Sequence, residues 1–243
     1  QRQILGTDPL AAETLADLTI EPGDLAAPAD HGLTRGRASA PRRLAATIVS
    51  APVTLNRPAE RMDRKRARKA LGLGRGRHCL ITLGSDAFND WTHLLRELTR
   101  QAQSARIKLV WAQSPLAAPE PLITQNPGIT ALATYPLAPH LAAFDGIVSA
   151  AGHNSFHEVM QLYAGPVLLA PRQHSALDDQ QARALYAQEQ GWALAATPGA
   201  EYSALVARFL AQVRSGDAPA PRPAWQDGAQ DIATRLAHVI ETG

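Results

Sequence analysis

The sequence predicts an α/β domain, with a Rossmann-like parallel sheet flanked by helices. From residue 77 onward, short apolar runs rich in Ile, Val and Leu alternate with stretches of helical periodicity, which is typical of βαβ units. Turn residues bound the apolar runs, as expected for strands that are buried on both faces of a sheet. The predicted strands are 78–83, 107–111, 129–133, 146–149, 167–170 and 192–195, and the predicted helices are 89–103, 137–144, 155–163, 177–190, 202–214 and 226–240.

Composition indicates a folded globular protein. Of the 243 residues, 45% are hydrophobic and 19% are charged, and the formal net charge is +2. The single cysteine, Cys79, excludes a disulfide framework and a cysteine-based zinc cluster. The sequence has no apolar run long enough to cross a bilayer and its first residues show no signal-peptide pattern, so we expect a cytoplasmic protein.

Residues 1–57 differ in character from the remainder. They are rich in Pro, Gly, Ala and Asp, and their two short apolar runs, 18–20 and 47–49, predict two isolated strands. The basic run 61–72 then predicts a solvated helix that ends at Gly72, with cations near the negative end of the helix dipole. Nucleic-acid binding is the alternative for such a run, but it lacks the interleaved aromatic residues that stack on bases.

The loops that follow the predicted strands are where ligands of a parallel sheet bind. After the first core strand, Gly84-Ser85 forms a turn whose backbone amides can face an anion at the start of the next helix. The alternative is a plain strand-to-helix turn in which Asn89 or Asp90 caps the helix.

The loop after the strand 146–149 offers a second anion site. Gly152 permits close approach of a ligand, and His153, Asn154 and Ser155 fall at a helix N-terminus, where free amides and the dipole favour phosphate oxygens. Glu158, one turn further, can accept hydrogen bonds from the vicinal hydroxyls of a ribose. A capping box formed by Ser155 and Glu158 is the structural alternative.

A metal site is a further alternative for this loop. His153 and His157 have the i, i+4 spacing of helical metal ligands. We disfavour it, because no third ligand is close in sequence and the glutamate spacing of zincins is absent.

The loop after the strand 167–170 carries adjacent carboxylates and amides. Asp178, Asp179 and Gln180 enter a helix there and suit hydrogen bonding to sugar hydroxyls. The alternative is an acidic first turn that complements the helix dipole.

These motifs occur together in the order of a known family. The matching residues are Tyr135-Pro136-Leu137, Gly152-His153-Asn154-Ser155, Glu158 and Asp179-Gln180. The set resembles the donor-binding half of UDP-sugar glycosyltransferases with the GT-B fold, in particular the bacterial lineage that includes the N-acetylglucosaminyltransferase making lipid II. It is also similar to the plant secondary-product glycosyltransferase box, with its Gly-x-Asn-Ser-x-x-Glu core and terminal Asp-Gln.

The resemblance implies a role for each matching position. Glu158 would hold the ribose of UDP, and the loop with Tyr135 and Leu137 would receive the uracil. Asp179 and Gln180 would contact the transferred sugar. The diphosphate would be held by Gly84, Ser85, Gly152, His153, Asn154 and Ser155.

The sequence departs from the plant box at one position. Ala151 stands where plant members carry a cysteine preceded by a histidine, so a histidine that contacts phosphate would here be His153. Neither a metal nor a cofactor is implied, because the helix N-terminus with Arg172 or His153 can offset the charge that develops on UDP.

The resemblance also implies a division of the chain. Residues 1–57 are expected to be a remnant of the acceptor domain and a linker, and 58–243 the C-terminal, donor-binding half of a GT-B fold. The expected activity is inverting, metal-independent transfer of a hexosyl group, with N-acetylglucosamine as the expected sugar, to a glycan, lipid or small molecule. In this family the general base usually comes from the acceptor domain.

Two other functions stay open at this point. The chain is alternatively a donor-binding subunit that is inactive without a separate acceptor-domain partner, which would make it peripheral to a membrane. The second alternative is a UDP-sugar 2-epimerase, which would need acid and base carboxylates in a complete first domain.

Overall fold

The structure is a computed structural model that describes residues 18–29, 46–84, 91–113, 115, 123, 126–172, 178–197 and 199–242. Ser85, Asn89 and Asp90, named above as candidate site or capping residues, lie outside the described residues.

The described strands are β1 (Leu18–Glu21), β2 (Ala46–Val49), β3 (Arg77–Thr82), β4 (Ile107–Gln113), β5 (Ile129–Ala133), β6 (Gly146–Ser149), β7 (Val167–Leu169) and β8 (Leu194–Ala195). Six of them form the main parallel sheet in the order β5-β4-β3-β6-β7-β8, which confirms the predicted α/β class. The other two, β1 and β2, pair with each other in parallel, so the two runs predicted as isolated strands form a small sheet.

The described helices follow the predicted order, with shifted ends. They are α1 (Arg64–Ala70), α2 (Thr92–Ser104), α3 (His153–Leu162), α4 (Gln180–Glu189), α5 (Tyr202–Ser215) and α6 (Gly228–Thr242). The short helix predicted at 137–144 is a 3₁₀ segment, Ala138–Ala143. None of the described helices combines the length and the apolar character that crossing a bilayer requires.

Helices cover the sheet on both faces because the central strands are apolar on both. Leu80 and Ile147 belong to one core cluster, which includes residues of α3 and α4. Ile81 and Val148, the next residues along the same strands, belong to the other cluster, with residues of α2 and α5. Strands buried on both faces are what the short uninterrupted apolar runs predicted.

The basic run forms a shorter helix than predicted, and two of the arginines in that helix form ion pairs. Helix α1 spans Arg64–Ala70 rather than 61–72. Arg64 and Arg68 form ion pairs with Asp145 at 2.6 and 2.9 Å. Asp145 also accepts a hydrogen bond from the backbone N–H of His78 at 2.8 Å. The arginines therefore fasten α1 to the amino-terminal edge of the sheet.

The strand order defines where a ligand can bind. From β3 the chain builds outward to β4 and β5, and then returns to the other side of β3 for β6, β7 and β8. The switch point therefore lies between β3 and β6, and the crevice beyond their carboxyl ends is the expected ligand site of an open parallel sheet.

We predict that Gly146→Ala destabilises the domain by about 1–3 kcal/mol, because its Cβ would overpack the core. A Cβ at Gly146 would lie 2.4 Å from Val213 Cγ2 and 3.0 Å from Phe209 Cζ, both on α5. Denaturant unfolding followed by circular dichroism measures the change. Gly74→Ala is the matched control, because a Cβ at Gly74 meets no atom within 4 Å. Equal stabilities of the two variants would contradict this packing.

Candidate functional site

The N-terminus of α3 lies beside the switch point, and no side chain among the described residues caps it. Its N-cap residue is Gly152, in extended conformation, so the amides of His153, Asn154 and Ser155 begin the helix with no cap hydrogen bond from that residue. The N-terminal amides of α1, α4 and α5, in contrast, each donate to a carboxylate, from Asp63, Asp179 and Glu201 respectively. Free amides at the positive end of a helix dipole favour an anion.

This geometry corrects one alternative drawn from the sequence. The helix was predicted to begin at Ser155, which would have formed a capping box with Glu158. Because α3 begins at His153, Ser155 lies inside the first turn and the predicted capping box is wrong.

The loops after β3, β6 and β7 meet at the same edge of the sheet. Gly84 follows β3 with φ +74°, and a Cβ there would lie 3.2 Å from Nη2 of Arg172, which follows β7. The backbone N–H of Arg172 donates to Oε1 of Gln180 at 3.1 Å. The side-chain nitrogen of Gln180 in turn lies 3.4 Å from the position of a Cβ on Gly152. Three of the predicted site residues are thereby brought together around Arg172.

Arg172 brings a positive charge to this edge. Within the described part of the chain, no ion pair or hydrogen bond of its guanidinium is found, and the side chain is partly exposed. A guanidinium beside Gly84, at the edge of the sheet where α3 begins, suits the binding of a phosphate group.

The predicted sugar-binding residues have structural partners of their own. Asp179 caps α4 by accepting a hydrogen bond from the N–H of Ala182 at 2.9 Å, as the acidic-turn alternative required. Gln180 is buried and donates to Asp178 Oδ2 at 3.0 Å. Asp179 itself is exposed to solvent.

Glu158 contacts the segment that precedes residue 58. Its Oε1 accepts a hydrogen bond of 3.3 Å from the backbone N–H of Leu55. Burial raises the pKa of the Glu158 carboxyl, and the Leu55 amide offsets only part of this effect.

Tyr135 and Leu137 follow β5, at the edge of the sheet and two strands away from β3. The Tyr135 side chain is 74% exposed, so its ring is available for stacking. Leu137 is partly buried against the core.

Asp24 lies at the centre of an ion cluster that the sequence did not predict. Its Oδ2 accepts a hydrogen bond from Nε of Arg183 at 2.9 Å and forms an ion pair with Nη2 at 2.8 Å. Its Oδ1 accepts from the N–H of Ala26 at 2.8 Å and lies 3.2 Å from His157 Nε2. Nδ1 of His153 is 3.7 Å from Oδ2, which is an ion-pair distance rather than a hydrogen bond.

The charges around Asp24 determine its protonation state. Burial alone would raise the pKa of the Asp24 carboxyl, but the imidazoles of His153 and His157 and the charge of Arg183 outweigh burial. Together they hold the pKa well below its usual range, so the group is a carboxylate at neutral pH.

The same cluster contains a possible third metal ligand, Asp24, which is distant in sequence from His153 and His157. Asp24, His153 and His157 offer ligand atoms that lie within 4.8 Å of one another. However, Nε2 of His157 accepts a hydrogen bond from the N–H of Leu25 at 3.1 Å, and Asp24 is paired with Arg183. A metal ion would have to displace both partners, so the contacts favour a hydrogen-bonded ion cluster over a metal centre.

Comparison with known proteins supports the fold. No protein-family model matches the chain, and no curated protein matches it. Among solved structures, the spinosyn forosaminyltransferase SpnP is 17% identical with a TM-score of 0.50, over 97% of this chain and 62% of that one. Sucrose-phosphate synthase from Thermosynechococcus elongatus is 14% identical, also with a TM-score of 0.50, over 96% and 61%.

The fold is therefore that of GT-B glycosyltransferases, as the sequence resemblance implied. The chain spans about three fifths of the length of these two solved chains.

We predict that Asp24→Asn lowers the free energy of unfolding by about 2–4 kcal/mol at pH 7, because it leaves Arg183 without one of its anions. The folded-state pKa of Asp24 is depressed, so its contribution is fully present above the unfolded-state pKa of about 4 and declines progressively as the pH falls from there towards the folded-state pKa. Urea unfolding at several pH values should show the two proteins converging below about pH 4. A stability difference that does not depend on pH would contradict the assignment.

Proposed function

We propose that the chain is the donor-binding half of an inverting, metal-independent glycosyltransferase that uses a UDP-sugar, with N-acetylglucosamine as the transferred sugar. The observation that carries this proposal is the edge beyond β3 and β6. There Gly84, the uncapped N-terminus of α3 and Arg172 converge at the switch point of the sheet.

This arrangement suits a diphosphate leaving group. Cleavage of the bond between the sugar and UDP places negative charge on the terminal phosphate. The amides of residues 153–155 and the Arg172 guanidinium would stabilise that charge by preorganised donors, as a divalent cation does in other transferases. Gly84 and Gly152 would let the phosphate oxygens approach the backbone closely.

The other parts of the donor would lie around this centre. Glu158 would accept hydrogen bonds from the ribose hydroxyls, and Tyr135 would stack on the uracil beside Leu137. Asp179 and Gln180, at the start of α4, would bind the sugar. The acceptor hydroxyl would attack the anomeric carbon in line, and the base that deprotonates it would come from an acceptor domain.

A donor-binding subunit is the second candidate, and one observation favours it. Helix α6 exposes Leu236, Val239 and Ile240, by 37%, 44% and 80% of their surfaces. An apolar face of this kind suits an acceptor domain or a separate partner, which could be bound at a membrane surface as in cell-envelope synthesis. Both candidate functions, the enzyme half and the separate subunit, assign a UDP-sugar to the described site.

Calorimetric titration with UDP tests the proposal. We expect a Kd in the micromolar to millimolar range, about −4 to −8 kcal/mol, with ADP binding more weakly because the uracil contacts are lost. Titrations in EDTA and in Mg²⁺ should give the same affinity, since the cationic partners of the diphosphate belong to the protein. Equal affinity for UDP and ADP would count against the uracil pocket, and a strict metal requirement would count against the mechanism.

We predict that Glu158→Gln weakens UDP binding by about 1.5–3 kcal/mol, because charge-assisted hydrogen bonds to the ribose are lost. The effect on stability should be small, because the glutamine oxygen can still accept the 3.3 Å hydrogen bond from Leu55. Calorimetry and thermal unfolding of the same variant separate the two effects. An unchanged UDP affinity would show that Glu158 has a structural role only.

A further inference from the structure

Arg183 joins three parts of the chain that are distant in sequence. Its Nη1 donates to the carbonyl of Ala151 and to Oδ1 of Asp178, both at 2.7 Å. Its Nε donates to Oδ2 of Asp24, and its Nη2 forms an ion pair with the same oxygen. Ala151 precedes the N-cap of α3, and Asp178 precedes the N-cap of α4, so one guanidinium holds both loops of the proposed donor site.

Asp24 is the group that fixes this guanidinium. The Arg183 side chain is only 9% exposed, so its charge must be balanced within the protein. Oδ2 of Asp24 accepts a hydrogen bond from Nε of Arg183 and forms an ion pair with Nη2, and the other oxygen of Asp24 accepts a hydrogen bond from the N–H of Ala26. The carboxylate also lies beside His153, the first residue of α3.

We propose that Asp24 is a positioning residue for the donor site, an inference that rests on the proposed function. It touches no substrate in this assignment. It holds Arg183 in the orientation that sets the Gly152 turn against the Asp179–Gln180 loop, and it holds the His153 ring beside that turn. The donor site therefore requires the segment that contains Asp24, in addition to the residues from 58 onward.

Asp145 provides a matched control for Asp24. Both carboxylates form ion pairs with arginine and accept a hydrogen bond from a backbone N–H. The side chain of Asp145 is 16% exposed and that of Asp24 is 18% exposed. Asp145 precedes β6 and so lies at the opposite, amino-terminal edge of the sheet. Removal of the Asp145 charge should lower the stability of the fold but leave the geometry of the donor site unchanged.

The experiment compares Asp24→Asn with Asp145→Asn in the full chain. Both variants should melt at a lower temperature than the parent protein. Asp24→Asn should raise the calorimetric Kd for UDP about tenfold, whereas Asp145→Asn should change it by less than about twofold. An unchanged Kd in Asp24→Asn, or an equal change in both variants, would overturn the proposal.

Hydrogen exchange provides a readout that does not depend on the nucleotide. Amides in 150–158 and 178–183 should exchange faster in Asp24→Asn and not in Asp145→Asn, because only the former releases Arg183. If the parent chain fails to bind UDP, the proposed function fails, while this exchange pattern would still support the coupling of the two loops. Unchanged exchange in both segments would overturn the coupling as well.

A conservative variant covers the case in which Asp24→Asn does not fold. Asp24→Glu keeps the charge next to Arg183 but moves the carboxylate by one methylene group. A positioning role predicts a UDP Kd raised by about three- to tenfold with little change in melting temperature. An unchanged Kd in that variant would overturn the proposal.

Discussion

The buried guanidinium of Arg183 is the constraint on which the candidate site depends. A cation that is 9% exposed is tolerated only where anions and carbonyls surround it, and here they come from three separate parts of the chain. The turn before α3, the loop before α4 and the segment around Asp24 are consequently held in one arrangement. Loss of any of these partners would leave part of a buried charge unbalanced, which makes the arrangement cooperative.

The sheet determines where this arrangement lies. Because the strand order reverses between β3 and β6, the region beyond their carboxyl ends is the expected ligand site. Gly84 and Gly152 lie at that edge of the sheet, and Arg172 adds a cation whose guanidinium has no ion pair among the described residues. At the opposite edge, Asp145 forms ion pairs with Arg64 and Arg68 of α1. Similar ion pairs thus hold the fold at one edge and organise the site at the other.

The sequence predicted the elements better than the contacts between them. The strands at 129–133 and 146–149 have the predicted bounds, because their apolar runs end at polar or turn residues. The predicted start of α3 at Ser155 is wrong, because the helix begins at His153 and Gly152 is its N-cap residue. Asp24 and Arg183 were not found: they are 159 positions apart, and an arginine in a helix gives no signal that it will be buried. Local periodicity carries no information on such a pairing.

A crystal structure of the chain with UDP bound would test the central claim most directly. The account predicts that the terminal phosphate contacts the amides at the start of α3 and the Arg172 guanidinium, and that the ribose hydroxyls contact Glu158. Arg183 should keep its bonds to Asp24, Ala151 and Asp178 in that complex. A nucleotide bound elsewhere on the sheet, or a diphosphate that displaces Asp24 from Arg183, would contradict it.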